Sequence, residues 1–304
     1  MRIEIIHTNL PAKAAELAAK GYEPVECSFG VHGSVLGPLA LDHHGTESHR
    51  EGVAIRAYRD HFGVLADSPR FVVTGDADAD ATFAIAALCG LLPHPSRASE
   101  LSSKPSYMSD PLVRDVTDLA SLVNTRDTDP FTVKLADHPW GATLLLWQQL
   151  ATGEEDESGF HAGVDRWRLL SGFKAPRLLL DAAFEQEQER VAQARAATTN
   201  MVTKNVGFVD ASGFGFDVWY SEKPGTPIVV HFDPAEGQVM VGCRDLEAAE
   251  RLLGKGGLKN VFARLEPKGW GGRETVGGGP RGVSLSRAQA RVAAETIADA
   301  VKGR

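Results

Sequence analysis

The stretch from Arg70 to Leu92 constrains the fold more than any other. Arg70-Phe71-Val72-Val73-Thr74 is a short β-branched run, Gly75-Asp76-Ala77-Asp78-Ala79-Asp80-Ala81-Thr82 is a polar corner, and Phe83 to Leu92 is almost wholly apolar. A helix apolar all round has no solvent face and must pack on a sheet. Strand, polar corner and buried helix make half of a βαβ unit. Upstream, Arg2 to Thr8 and Glu23 to Phe29 read as strands, and Pro11 to Lys20 reads as a helix closed by Gly21. Leu39-Ala40-Leu41 reads as another buried strand, ending in Asp42. Ser48 and Glu51 have capping-box spacing for a helix running to about His61. The predicted fold class is α/β, with a mainly parallel sheet flanked by helices.

Helices are predicted over Leu112 to Val123, Trp140 to Leu150, Phe160 to Phe173 and Arg177 to Ala197. The composition then turns β-rich, with short strands at Val206 to Asp210, Phe216 to Ser221, Pro227 to Phe232 and Gln238 to Cys243. Helices follow at Leu246 to Leu253 and Ser286 to Val301. A chain of 304 residues exceeds what one core usually supports. The expected division is a larger α/β domain over 1–180, a linker helix over 181–200, and a smaller α+β domain over 201–304.

Charge is spread unevenly. Residues 251–304 hold eleven Lys and Arg against four acids, a net +7, which leaves −15 for the rest of a chain whose total is −8. An acidic body argues against coating of duplex DNA, while a locally basic end suits a small or single-stranded phosphate-bearing partner. Cys27, Cys89 and Cys243 are isolated and odd in number, so buried free thiols are expected. No run of 18 apolar residues occurs, and the start lacks a small-residue cleavage site, so a cytoplasmic protein without membrane partners is expected.

Three groups of residues can carry chemistry. Asp42-His43-His44-Gly45 sits at the end of a predicted strand, where one imidazole can ligate a metal, the other can meet a phosphate, and the carboxylate can fix the ligating tautomer. If Gly75 to Ala81 is extended, Asp76, Asp78 and Asp80 point the same way and form a hard oxygen site for a divalent cation; the alternative is an acidic cap on the following helix. Histidine combined with several Asp favours Mn²⁺ or Mg²⁺ over thiolate-bound zinc. Asp127 and Asp129 crowd a turn just before Phe131. In the basic region, Gly277, Gly278 and Gly279 between Arg273 and Arg281 can cradle an anion with backbone amides and guanidinium forks. Trp219, Tyr220, Phe262 and Trp270 are core residues or, alternatively, base-stacking platforms.

These residues resemble those of the DHH-type phosphoesterases. Asp42-His43-His44-Gly45 matches the name-giving motif, Asp78-Ala79-Asp80-Ala81 is similar to the first metal motif, and Gly277-Gly278-Gly279 is similar to the substrate loop of the C-terminal domain. The two motifs run in reversed order, as in a divergent or permuted member. The resemblance implies a two-domain, two-metal hydrolase of phosphoric ester or anhydride bonds. His43, Asp76, Asp78, Asp80 and Asp127 would ligate two Mn²⁺ or Mg²⁺ ions, and Asp42 and His44 would assist catalysis. Arg273, Gly277, Gly278, Gly279 and Arg281 would bind a small phosphorylated substrate or short single-stranded oligonucleotide in a cleft between the domains. A degenerate, regulatory phosphate- or nucleotide-binding protein is the alternative, and a homodimer is compatible with either.

Overall fold

The computed structural model describes residues 2–29, 32–43, 51–94, 116–128, 135, 138–151, 156–172, 177–221, 226–280 and 282–302. It is a mixed α/β structure that divides into two compact units, Met1–Glu185 and Gln186–Arg304.

The first unit is built on a parallel three-stranded sheet in the order β1-β3-β2, with β1 Glu4–His7, β2 Glu23–Val25 and β3 Arg70–Val73. Ile5 lies opposite Phe71, and Val25 opposite Val73. Side chains alternate across a strand, so the central strand sends Val72 to one face, against Ala14, Leu17 and Cys27, while Phe71 and Val73 enter the larger core on the other. On the first face lies α1, Pro11–Ala19. The larger core takes α2 (Val53–Asp60) and α3 (Ala79–Leu88). As its composition demands, α3 is buried at every residue from Asp80 to Leu88. Around it pack α4 (Thr117–Thr128), α5 (Gly141–Leu150) and α6 (Glu157–Gly172), whose Trp167 donates its indole N–H to Thr82 Oγ1 at 3.1 Å.

Helix α7, Arg177–Ala196, contributes Ala183 to the core of the first unit. The second unit holds a mixed six-stranded sheet in the order β4-β5-β6-β7-β9-β8: Thr199–Thr203, Val206–Asp210, Ile228–Asp233, Gln238–Cys243, Val276–Gly278 and Gly271–Gly272 for β4, β5, β6, β7, β9 and β8. Only the β5–β6 pair is parallel. The sheet face carrying Phe208, Val230 and Val241 is covered by α9 (Leu246–Leu253) and α11 (Arg287–Lys302), beside the short α10 (Lys259–Phe262).

Phe216–Ser221, predicted as a strand, is instead a helix, α8. Its aromatic residues Phe216, Trp219 and Tyr220 have helical i, i+3, i+4 spacing, and Phe216 and Trp219 both lie against His231 of β6. Trp219 also donates its indole N–H to Ala194 O at 2.9 Å. β-branched and aromatic content favoured a strand locally, and burial of one helical face overrode it. Trp219, Tyr220, Phe262 and Trp270 are all buried, which places them in the core and not on a surface for stacking bases. The three cysteines are free and buried, and burial pushes the Cys27 and Cys89 thiols up to about 12. Among the described residues, no helix is long and apolar enough to cross a membrane.

Candidate metal centre

The C-terminal edge of the parallel sheet collects the polar residues, and each arrives there by a different local device. Strand β2 ends at Val25, and the next residue, Glu26, adopts the left-handed backbone conformation at φ 53°. A non-glycine residue pays conformational strain there. Glu26 N–H donates to Leu41 O at 2.8 Å, and Leu41 makes a single parallel bridge to Val25. Leu39 to Leu41 is therefore one bridging residue within a turn and not the predicted buried strand. Ala40, left-handed at φ 50°, redirects the chain, with Ala40 N–H bonded to Gly37 O and Asp42 N–H to Ala40 O. Asp42 and His43 come out of this turn buried.

The acidic corner after β3 also departs from expectation. Asp76, Asp78 and Asp80 do not alternate along a strand, because Asp78 caps α3, its Oδ1 accepting from Ala81 N–H at 2.8 Å. Helix geometry then turns Asp80 inward while Asp76 and Asp78 remain exposed. Asp80 accepts the first amides of α2, Val53 N–H at 2.7 Å and Ala54 N–H at 3.0 Å. The predicted capping box fails accordingly: the N-cap of α2 is Gly52, Glu51 is bound to Arg59, and a carboxylate from a distant helix takes the orphan amides. Ser48 lies outside the described residues. Asp127, predicted in a turn, occupies the last turn of α4.

Four of these side chains converge. His43 Nε2 stands 2.6 Å from Glu26 Oε1, 3.2 Å from Asp127 Oδ2 and 3.9 Å from Asp80 Oδ2. Glu26, His43 and Asp80 are buried and form a group that could hold a metal ion; Asp127, with 28% of its side chain exposed, is the outward member. Although 2.6 Å from the imidazole nitrogen, Glu26 Oε1 makes no hydrogen bond of acceptable geometry with any described residue. Neighbouring ligands of an octahedral ion with bonds of about 2.1 Å stand about 3 Å apart and opposite ones about 4.2 Å; the 3.2 and 3.9 Å spacings fall within that range, and the 2.6 Å between Glu26 and His43 is shorter than it. The buried oxygen and imidazole groups of Glu26, His43 and Asp80, side by side, could hold a cation.

The electrostatics agree. Burial, then the charges of Asp78, Asp80, Asp127 and Asp42, push the Glu26 carboxyl well above the usual carboxylate range. Asp80 is raised by burial and by Asp127 and Asp78, against the pull of the Ala54 and Val53 amides. A cluster of like charges in a buried setting must take up protons or bind cations.

The structure thus brings together His43, Asp80 and Asp127, with Asp42 buried beside them, and leaves Asp76 and Asp78 exposed. His44, Arg281 and Asp129 lie outside the described residues. Sequence reasoning missed Glu26. Its signal was an acid inserted in the apolar run Pro24-Val25-Glu26-Cys27, at the end of a strand, where a core residue would be expected.

In the second unit Gly277 and Gly278 are strand residues of β9, paired with β7 and β8, and Gly279 N–H donates to Val239 O at 2.9 Å. A Cβ on Gly277 would stand 2.3 Å from Phe262 Cζ and 2.6 Å from Gly271 O, whereas one on Gly278 would meet only Val239 O at 3.4 Å. Gly277→Ala is therefore expected to destabilise the protein by about 1–3 kcal/mol, as overpacking does, and Gly278→Ala by less than about 1 kcal/mol. Urea denaturation of both variants checks this; equal midpoints would contradict the packing role.

No family model matches the chain, and no curated protein or solved structure matches it either.

Proposed function

We propose that this chain is a divalent-metal-dependent phosphoesterase, a divergent relative of the DHH-type enzymes, acting on a small phosphate-containing or short single-stranded nucleotide substrate. The convergence of Glu26, His43, Asp80 and Asp127 at the C-terminal edge of a parallel sheet carries the reading, because open α/β sheets place ligands at that edge. Those four residues would hold a first Mn²⁺ or Mg²⁺ ion. Asp127, in the last turn of α4, and Asp78, at the N-cap of α3, would contribute to a second. Asp76, exposed, is left out of the ligand set.

Divalent ions bound there supply Lewis-acid stabilisation of phosphoryl oxygens and lower the pKa of water. Asp42 would orient the His43 ring, as a carboxylate does for a metal-bound imidazole. His44 is assigned to the phosphate; the Gly277–Gly279 run is not, because its backbone is taken up in the pairing of β9 with β7 and β8 and in the Gly279 bond to Val239 O.

A non-hydrolysing phosphate- or nucleotide-binding regulator is the second reading. The exposure of Asp76 and Asp78 favours it, since the buried set alone suffices for one ion. Hydrolysis of bis-p-nitrophenyl phosphate, short oligonucleotides, cyclic dinucleotides and polyphosphate, assayed with Mn²⁺, separates the two. The enzyme reading expects turnover that EDTA abolishes and that His43→Ala lowers by at least about a thousandfold. An absence of turnover on every substrate, with chelator-insensitive ligand binding, would favour the regulator.

A further inference from the structure

Between the two chain segments that deliver the metal ligands stands Arg56, on the second turn of α2. Its Nη1 donates to Ala40 O and its Nη2 to Asp42 O, each at 3.1 Å. Those two carbonyls flank Leu41, the residue that bridges to Val25 and accepts the Glu26 amide. The guanidinium thus grips the turn that carries Ala40 in the left-handed conformation and from which His43 emerges. The first turn of the same helix is fixed by Asp80, which accepts the Val53 and Ala54 amides.

We infer that Arg56 is a positioning residue for the metal centre, holding the Ala40–Asp42 turn so that His43 and Glu26 meet Asp80. This rests on the metal reading above. The physical case is one of geometry and charge. A planar fork with two parallel donors can span carbonyls two residues apart, which a lysine cannot do, so the turn depends on arginine in particular. Without the fork, the left-handed Ala40 has less to over-determine it, and strained backbone persists only where its surroundings hold it. Arg56 is half-buried among Asp80, Asp42, Glu51 and Glu26, and its Nε is buried without a hydrogen-bond partner among the described residues. Two of its guanidinium nitrogens are committed to the turn. Helix α2 becomes the platform that joins ligands about 40 residues apart in sequence: Asp80 binds its first turn and the His43 turn binds its second.

Two measurements test this on the full chain. Mn²⁺ affinity, followed by electron paramagnetic resonance, is expected to weaken about 10- to 100-fold in Arg56→Met, the usual effect of removing a group that orients a ligand, and by an intermediate factor in Arg56→Lys. Hydrogen exchange at the Glu26 amide, which is bonded to Leu41 O, is expected to accelerate in Arg56→Met relative to the core amides of β3. A merely structural arginine would lower the unfolding midpoint while leaving both the affinity of folded protein and the relative protection of Glu26 unchanged, and that result overturns the inference. If Arg56→Met does not fold, Arg56→Lys carries the same two readouts. Should the unaltered protein bind no Mn²⁺, the metal reading fails. Accelerated exchange at Glu26 would then still support the grip on the turn, and unchanged exchange would refute it.

Discussion

Gly52→Ala is expected to destabilise the protein by about 2–4 kcal/mol and to weaken divalent-metal binding at least about tenfold. Glycine is needed here for space and not for conformation, since φ is −62°. A Cβ at this position would stand 2.8 Å from both carboxylate oxygens of Asp80 and 3.1 Å from its Cγ, closer than such atoms approach. Asp80 has little room to yield. Its two oxygens hold the Val53 and Ala54 amides, and a buried donor left unpaired costs about 1–3 kcal/mol. Moving the Gly52 backbone instead breaks its amide bond to Asn124 Oδ1 at 2.5 Å. Where the carboxylate yields, it shifts relative to His43, and stability and metal affinity fall together. Gly271→Ala, where nothing lies within 4 Å of the added Cβ, is the matched control and is expected to change stability by less than about 0.5 kcal/mol. Urea denaturation with and without Mn²⁺ reads both quantities. Coincident midpoints for the two variants would refute the close-packing argument.

The metal-free protein is expected to lose stability as pH rises from about 5 to 8, and divalent ions are expected to reverse that trend. Burial and neighbouring carboxylates raise Glu26 and Asp80 above their ordinary values, so the folded state keeps protons that the unfolded chain has released. Where the folded state binds more protons, the unfolding free energy falls with pH. The loss begins above the ordinary carboxylate range of about 4 and continues until the raised groups ionise. It amounts to about 1.4 kcal/mol per pH unit for each proton held in excess. Metal binding requires the same groups deprotonated, so protons compete with it at low pH and it strengthens as pH rises. At an ion concentration a thousand times the dissociation constant, stabilisation reaches about 4 kcal/mol. Thermal denaturation in EDTA and in Mn²⁺ at pH 5, 6.5 and 8 should show a gap that widens with pH. A metal-free midpoint that climbs over this interval would argue against the clustered carboxylates.

Much of this molecule was written in local pattern. The apolar run of α3, the β-branched run of β3 and the alternation of strands with helices specify an α/β unit from short-range information, because periodicity and hydrophobic burial act within a single element. His43, Asp80 and Asp127 were legible as candidate ligands for a similar reason: residues of that chemistry at the ends of strands and helices stand out against apolar neighbours. The capping of α2 by Asp80 could not be read this way, since the donor amides and the acceptor lie 26 and 27 residues apart and only the packing of α2 on α3 brings them together. The inward turn of Asp80 away from Asp76 and Asp78 followed from where α3 begins, a one-residue matter that the capping hydrogen bond of Asp78 decides. Glu26 was hidden for a different cause. Its position depends on a left-handed residue after β2 and on the Ala40 turn folding back to meet it, two strained backbone positions that no propensity favours and that are bound by Arg56 and the Leu41 bridge, contacts distant in sequence. Sequence alone therefore determined the layers and most of the candidate ligand types, while tertiary packing decided which carboxylates come together.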